Sequence, residues 1–129
     1  MEPSRGTRIL LIDDDPAYHR LATALLEGLG HTVIPARNAE TGLRLAGEEV
    51  PDLILMDIHL PGTNGFQTVQ KLRQDTRAAA VPVIAFTAAD VSTEAEQAKA
   101  RAAGFVTYVT KPIRESEFRT LLAPWTGGR

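Results

Sequence analysis

Acidic residues follow two apolar segments of this 129-residue sequence. Asp13, Asp14 and Asp15 come directly after RILLI, and Asp57 stands among apolar residues in PDLILMDIHLPG. A carboxylate in apolar surroundings is unfavourable unless a cation or hydrogen bonds compensate its charge. Asp15 is explained as the N-cap of a following helix, but Asp57 has no such structural explanation. The acids therefore predict a cation-binding site with Asp57 at its centre.

Two further polar residues, Thr87 and Lys111, lie at the ends of later apolar segments. Two carboxylates about 5 Å apart repel by about 3 kcal/mol at an effective dielectric near 20, so clustered acids need positive charge. Lys111 supplies one charge, and Mg²⁺ suits the rest because it prefers oxygen ligands and bridges to phosphate. A metal, an ionised nucleophile, a hydroxyl and a lysine are what phosphoryl transfer requires. The set predicts Mg²⁺-dependent chemistry with Asp57 as the attacking group.

Five short segments rich in Ile, Val and Leu predict the strands that position these residues. Their alternation with amphipathic segments predicts one α/β domain, a five-stranded parallel sheet with helices on both faces. In the flavodoxin-like (βα)5 order 2-1-3-4-5, the first and third strands flank the switch point, which brings Asp13, Asp14 and Asp57 together. The predicted strands are residues 8–12, 32–34, 53–56, 81–86 and 105–109.

The amphipathic segments predict five helices and several of their boundaries. The first helix begins after Asp15, and the fifth stops at Pro124. The fourth, over residues 92–104, has few large apolar residues and is predicted to pack loosely. His19 is predicted on the surface of the first helix. The apolar face of that helix is predicted to consist of Tyr18, Leu21, Leu25 and Leu29.

The composition argues against several classes of protein. Without cysteine the chain has neither disulfides nor thiolate metal sites. Its net charge of -2 does not indicate the excess of Lys and Arg that is typical of nucleic-acid-binding domains. No segment approaches the roughly 20 apolar residues that span a bilayer, and the N-terminus lacks a secretory signal. We expect a cytoplasmic protein without direct nucleic acid or membrane binding.

Its single domain is predicted over residues 8–125, between flexible tails 1–7 and 126–129.

Four segments in order, ILLIDDDP, LILMDIHLPGTNG, VIAFTAAD and YVTKP, resemble the signature segments of receiver domains in two-component response regulators. The resemblance spans nearly the whole chain. It implies that Asp57 accepts a phosphoryl group from a histidine kinase or a histidine phosphotransfer protein. It implies further that Asp14 and Asp57 bind Mg²⁺ directly, that Asp13 acts largely through water, and that the backbone carbonyl of His59 is another ligand.

The resemblance also implies how the phosphoryl group is sensed. Thr87 would donate a hydrogen bond to it, and Lys111 would form an ion pair with it. When the Thr87 hydroxyl turns, Tyr108 would swing inward and change the surface of the fourth helix, fifth strand and fifth helix. That surface would bind a downstream protein, which the sequence does not identify, or a second copy of the chain. Such a domain is a phosphoacceptor that assists its own phosphorylation and dephosphorylation, not an enzyme.

Alternative functions remain open at this point. A phosphohydrolase of the haloacid dehalogenase type would use Asp13 as nucleophile, but it would leave Asp57 without a role. A flavodoxin-like nucleotide binder would need hydroxyls and amides rather than three carboxylates in its first loop. A receiver-like scaffold that is never phosphorylated is a third possibility, although all five pocket residues are present. Because no output module follows Leu122, the domain either acts alone or belongs to a larger protein such as a hybrid kinase.

Overall fold

The chain is described from a computed structural model, which covers residues 7–60, 62, 64–88, 93–111 and 114–126, with only the backbone at residues 87, 88, 125 and 126. Its parallel sheet has the order β2-β1-β3-β4-β5, as predicted. The strands are β1 Arg8–Ile12, β2 Thr32–Ala36, β3 Leu53–Asp57, β4 Val83–Ala88 and β5 Thr107–Lys111. The helices are α1 Pro16–Gly28, α2 Ala39–Glu49, α3 Gly65–Gln74, α4 Glu94–Ala103 and α5 Glu115–Thr126.

Two apolar clusters cover the two faces of the sheet. Alternate residues of a strand point to opposite faces, so Leu10 and Ile12 join one cluster while Ile9 and Leu11 join the other. The first cluster includes Val69 of α3, and the second includes Leu26 of α1 and Phe118 of α5. With both faces covered, the strand ends are where polar side chains can gather. No helix in the described ranges is long and apolar enough to cross a membrane.

The fifth strand begins two residues later than the predicted range 105–109. Phe105 is buried, but its N–H donates to the carbonyl of Ala100 and closes the end of α4. Its ring packs edge-on against Phe66, with centroids 6.3 Å apart. An apolar residue in a buried turn has the same signal as a strand residue, because both are selected by burial. The prediction was therefore wrong about the start of β5.

The buried face of α1 also differs from the prediction. Leu21 is 47% exposed, whereas His19, predicted on the surface, is only 4% exposed. The His19 ring lies 3.5 Å from the Thr23 hydroxyl. The helix turns the small side chain of Ala22 toward the sheet, which permits close packing that a rule based on large apolar residues misses. The buried residues of α1 are Tyr18, His19, Ala22 and Leu26.

The last helix continues past its predicted end. Pro124 lies inside α5, which extends to Thr126, a residue predicted to belong to the C-terminal tail. Proline lacks an N–H, but its fixed φ near -65° is itself helical. Pro124 removes one i→i−4 hydrogen bond from the last turn, and α5 continues for only two residues beyond it. At the start of α4, the Thr93 side chain accepts a hydrogen bond from the Glu96 amide and caps the helix.

Candidate functional site

Three carboxylates converge at the carboxyl edge of the sheet. Asp13 and Asp14 follow β1, and Asp57 ends β3, which pairs with β1 along its length. One carboxylate oxygen from each residue lies within 4.8 Å of the others. Asp13 and Asp57 are buried, and Asp14 is exposed. The structure thus brings together the three acids for which the sequence predicted a common site.

Lys111 reaches this group from the end of β5. Its Nζ lies 2.7 Å from Asp13 Oδ2 and donates a hydrogen bond of 2.9 Å to Asp57 Oδ2. The contact with Asp13 is an ion pair without the alignment of a hydrogen bond. Because β4 separates β5 from β3, only a long side chain can span this distance. One ammonium thereby holds two buried carboxylates.

Burial and charge pull the pKa values in this site in opposite directions. Burial raises the pKa of Asp13 above its usual value, and the contacts with Lys111 and the Asp15 amide only partly offset this. For Lys111, burial lowers the pKa, but the contacts with the carboxylates of Asp13 and Asp57 outweigh it, so the net pKa is raised. Lys111 is therefore an ammonium at neutral pH. One positive charge against three carboxylates leaves the site electrostatically suited to a divalent cation.

The donor set fits Mg²⁺ in particular. Mg²⁺ takes oxygen ligands and keeps several waters, so it is commonly held by one or two carboxylates with space beside them. Asp14 is open to solvent while Asp13, 0% exposed, carries a carboxylate that burial disfavours in its charged form. A cation at this position would compensate that charge. The group of Asp13, Asp14 and Asp57 could thus hold the metal.

The loop after β3 fixes the orientation of the Asp57 carboxylate. Asp57 Oδ1 accepts a hydrogen bond of 2.9 Å from the amide of His59. The Gly65 amide donates to the Ile58 carbonyl at 2.8 Å. A Cβ at Gly65 would lie 2.7 Å from the Ile58 Cα, so only glycine permits this close approach. The predicted role of the His59 carbonyl as a metal ligand stays a prediction.

The hydroxyl predicted to contact a phosphoryl group lies outside the described part of the chain. The backbone of Thr87 is in β4 and pairs with Thr110 of β5. In the same register, Ala88 pairs with Lys111 and Asp57 pairs with Phe86. The backbone of Thr87 therefore lies at the same edge of the sheet as Asp57 and Lys111.

Glu96 is a residue that sequence reasoning missed. Tyr108, the predicted switch residue, donates a hydrogen bond of 3.3 Å from its hydroxyl to Glu96 Oε1. The Nε2 of His59 lies 3.4 Å from the same oxygen. The pattern T-x-x-E at Thr93 predicts only a capping box at the start of a helix. Glu96 instead connects α4 to Tyr108 on β5 and to the loop that follows Asp57.

Comparison with known proteins identifies the class to which this fold and site belong. Residues 9–123 match the response regulator receiver domain family, and the chain belongs to that family. It is 44% identical over 108 residues to the protein PilH of Pseudomonas aeruginosa, covering 84% of this chain and 88% of PilH. It is 33% identical over 119 residues to the polar-differentiation response regulator DivK of Brucella anthropi, covering 92% and 95% of the two chains.

Sensor kinases also contain similar segments. The chain is 33% identical over 127 residues to the sensor histidine kinase GacS of Pseudomonas protegens, covering 96% of this chain but 14% of that protein. The crystal structure of a sensor histidine kinase receiver domain from Pseudomonas aeruginosa has a magnesium ion coordinated in its active site cleft. It aligns with a TM-score of 0.84 and 31% identity over 95% of this chain and 98% of its own. The resemblance to receiver domains is confirmed.

The fold itself has a further match among chemotaxis proteins. The chemotaxis protein CheY4 of Vibrio cholerae aligns with a TM-score of 0.86 at 20% identity, over 93% of this chain and 98% of its own. At that identity the likeness concerns the fold. It confirms the flavodoxin-like arrangement of five strands and five helices.

Proposed function

We propose that Asp57 of this receiver domain accepts a phosphoryl group from a histidine kinase or a histidine phosphotransfer protein, in a Mg²⁺-dependent reaction. The observation that carries the proposal is the contact of Lys111 with both Asp13 and Asp57, beside the third carboxylate of Asp14. The domain is a phosphoacceptor rather than an enzyme that turns over a substrate. Receiver domains as a family take their phosphoryl groups from histidine kinases, which supports this choice of partner.

In the proposed reaction a carboxylate oxygen of Asp57 attacks phosphorus and forms an acyl phosphate. The bond from phosphorus to the donor nitrogen breaks, and the imidazole of the donor keeps that electron pair. Asp14 and Asp57 would hold Mg²⁺ directly, Asp13 through water, and the His59 carbonyl would complete the protein ligands. When bound, the metal supplies positive charge to the phosphoryl oxygens.

The neighbouring side chains have separate tasks in this proposal. Lys111 would exchange its contact with Asp57 Oδ2 for one with a phosphoryl oxygen, while its contact with Asp13 remains. The Thr87 hydroxyl would donate to another phosphoryl oxygen. The amide of His59 holds Asp57 Oδ1, which restricts rotation of the carboxylate before attack.

The proposed switch uses the contact between Tyr108 and Glu96. In the structure the Tyr108 hydroxyl donates to Glu96 of α4, which ties β5 to that helix. Movement of Thr87 toward the phosphoryl group would let Tyr108 turn inward and give up this bond. The face formed by α4, β5 and α5 would then change and bind a downstream protein or a second copy of the chain. Half-burial of Tyr108 supports such a movement, because a fully buried ring would be held in place.

A decisive experiment is incubation with acetyl phosphate and Mg²⁺, followed by intact mass measurement and mapping of the adduct. We expect one phosphoryl group per chain, stable in acid and labile in base, which Asp57→Asn abolishes. Asp52→Asn is a matched control because Asp52 is an exposed aspartate just before the opposite end of β3. A chain that takes no phosphoryl group would indicate a binding scaffold. Modification at Asp13 or steady turnover of phosphate esters would indicate a phosphohydrolase.

A further inference from the structure

The Lys111 ammonium has a third neighbour besides Asp13 and Asp57. Its Nζ lies 4.3 Å from the centroid of the Tyr18 ring, well within the roughly 6 Å at which a cation is attracted to an aromatic face. The side chain of Lys111 is 18% exposed. The ammonium is therefore largely removed from water and lies against the ring face as well as the two carboxylates.

Packing, rather than a hydrogen bond, holds the Tyr18 ring. Tyr18 is buried, and its hydroxyl has no hydrogen-bond partner within the described residues. Its ring meets Phe86 edge-on at 5.8 Å and 72°, and Phe86 meets Phe118 at 6.0 Å and 90°. Phe86 is the register partner of Asp57, and Phe118 is buried on α5. This row of three rings links Lys111 to the core between the sheet and α5.

The ring acts on the ammonium through its face and not through a charge. Burial, and then the nearby carboxylates of Asp13 and Asp57, raise the pKa of Tyr18 above its usual value. Tyr18 is therefore a neutral phenol at neutral pH. A phenylalanine at the same place would offer the ammonium a similar face.

We propose that Tyr18 is a positioning residue for phosphoryl transfer to Asp57, which holds the Lys111 ammonium at the reacting oxygens through its ring face. The inference rests on the proposed function. Lysine is a flexible four-carbon chain with a point charge at its end, so it needs fixed neighbours to keep one geometry. Its contact with Asp57 Oδ2 changes when the acyl phosphate forms, whereas Asp13 and the Tyr18 ring remain. The ring thus keeps the ammonium in place through the step.

The test compares Tyr18→Leu with Tyr18→Phe in the full chain. The rate of Asp57 phosphorylation by acetyl phosphate is measured at saturating Mg²⁺ and normalised to folded protein. We expect Tyr18→Phe to keep the wild-type rate, and Tyr18→Leu to lose about fivefold to thirtyfold, the range expected for a desolvated cation–π contact. Phe118→Leu is the matched control. It removes the far ring of the row, which meets Phe86 rather than Tyr18, so its rate per folded molecule should stay close to that of the wild type and well above that of Tyr18→Leu.

A proton NMR measurement tests the geometry independently of phosphorylation. The Lys111 methylene protons nearest the ammonium should be shifted upfield by the Tyr18 ring current in the wild type and in Tyr18→Phe, and this shift should vanish in Tyr18→Leu. Absence of the shift in the wild type overturns the inference even if Tyr18→Leu fails to fold.

The kinetic outcomes separate this inference from the proposed function. A wild-type chain that is not phosphorylated overturns both. A phosphorylated wild type with Tyr18→Leu at an equal rate overturns only the role of Tyr18. Equal losses of rate in Tyr18→Leu and Phe118→Leu would indicate that general core packing is the cause. A loss of rate in Tyr18→Phe equal to that in Tyr18→Leu would indicate that the hydroxyl is the cause. Either result also overturns the role proposed for the Tyr18 ring.

Discussion

The centre of the sheet, β1 and β3 (the tightly packed side), and its β5 edge with α4 (the loosely packed side) differ in how deeply they are buried. On one side every residue of β3 is buried, and β1 is buried from Ile9 onward. On the other side β5 is half-buried or exposed throughout, and Ala100 is the one buried residue of α4. The acids of the site belong to the tightly packed side, while Tyr108 and Glu96 belong to the looser one. Chemistry needs fixed geometry, whereas signalling needs a surface with two accessible arrangements.

Lys111 belongs to both sides. Its backbone ends the loosely packed β5, and its ammonium lies between Asp13 and Asp57 on the tightly packed side. Under the proposed function, a change at Asp57 would reach β5 through the Lys111 side chain. The contrast between the two sides, with Lys111 as their connection, leads to the predictions below.

The largest expected effect comes from truncating one apolar side chain on each side. Leu55→Ala on β3 should lower the free energy of unfolding by about 2–5 kcal/mol, because Leu55 is fully buried. Val109→Ala on the half-buried β5 should lower it by about 1 kcal/mol. Urea denaturation measures both losses, provided that the slope of the free energy of unfolding against urea concentration is the same as in the wild type. Equal losses would show that the two sides do not differ in packing.

Metal binding should reverse the stability order of wild type and Asp14→Asn. Without Mg²⁺, Asp14→Asn should be more stable by up to about 1 kcal/mol, because one of three neighbouring carboxylates is removed at an exposed position. At a Mg²⁺ concentration about 100 times Kd, the wild type should gain about 2.7 kcal/mol and the variant much less. Thermal unfolding with and without Mg²⁺ measures the crossover. Asp52→Asn should respond to Mg²⁺ as the wild type does. If the wild type and Asp14→Asn keep the same order of stability with and without Mg²⁺, the result would argue against the metal site.

The pH dependence of stability should identify the buried carboxylate of Asp13. Its pKa is raised in the folded state, chiefly by burial. Its contribution to stability is therefore fully present below its unfolded pKa, near 4, and is lost as pH rises through the higher folded pKa. In metal-free protein, the wild type should gain stability relative to Asp13→Asn as pH falls from neutral toward 4. Chemical denaturation at several pH values tests this, and a constant difference would contradict it.

The smallest expected effect concerns the loosely packed side. Glu96→Ala removes the acceptor of Tyr108 and should lower the free energy of unfolding by no more than about 1 kcal/mol, because Glu96 is only partly buried. Amide hydrogen exchange should become faster in α4 and β5 while β3 is unaffected. Glu94→Ala, an exposed change in the same helical turn, is the control. Similar exchange in the two variants would count against the role given to Glu96.

The convergence of Asp13, Asp14, Asp57 and Lys111 could be predicted from the sequence because it depends on topology. The acids stand at strand ends, and the order of a parallel sheet decides which strand ends are neighbours. The start of β5 was predicted wrongly, because Phe105 is as buried in its turn as it would be in a strand.

Contacts that depend on side-chain packing could not be predicted. Tyr18 was correctly predicted to be buried, but its position against Lys111 depends on the angle at which α1 meets the sheet. Ala22, fully buried on the same helix, is small and carries little apolar signal in the sequence. The bond between Glu96 and Tyr108 joins residues on different elements and has no sequence pattern of its own.

The close approach of Gly65 to Ile58 has a consequence for the genetics of this protein. Gly65 has no polar side chain, yet an added methyl group would meet the Ile58 backbone in the loop that orients Asp57. In a mutational screen, Gly65→Ala should therefore score with the loss-of-signal alleles although every pocket residue is unchanged. A search restricted to charged positions would overlook it.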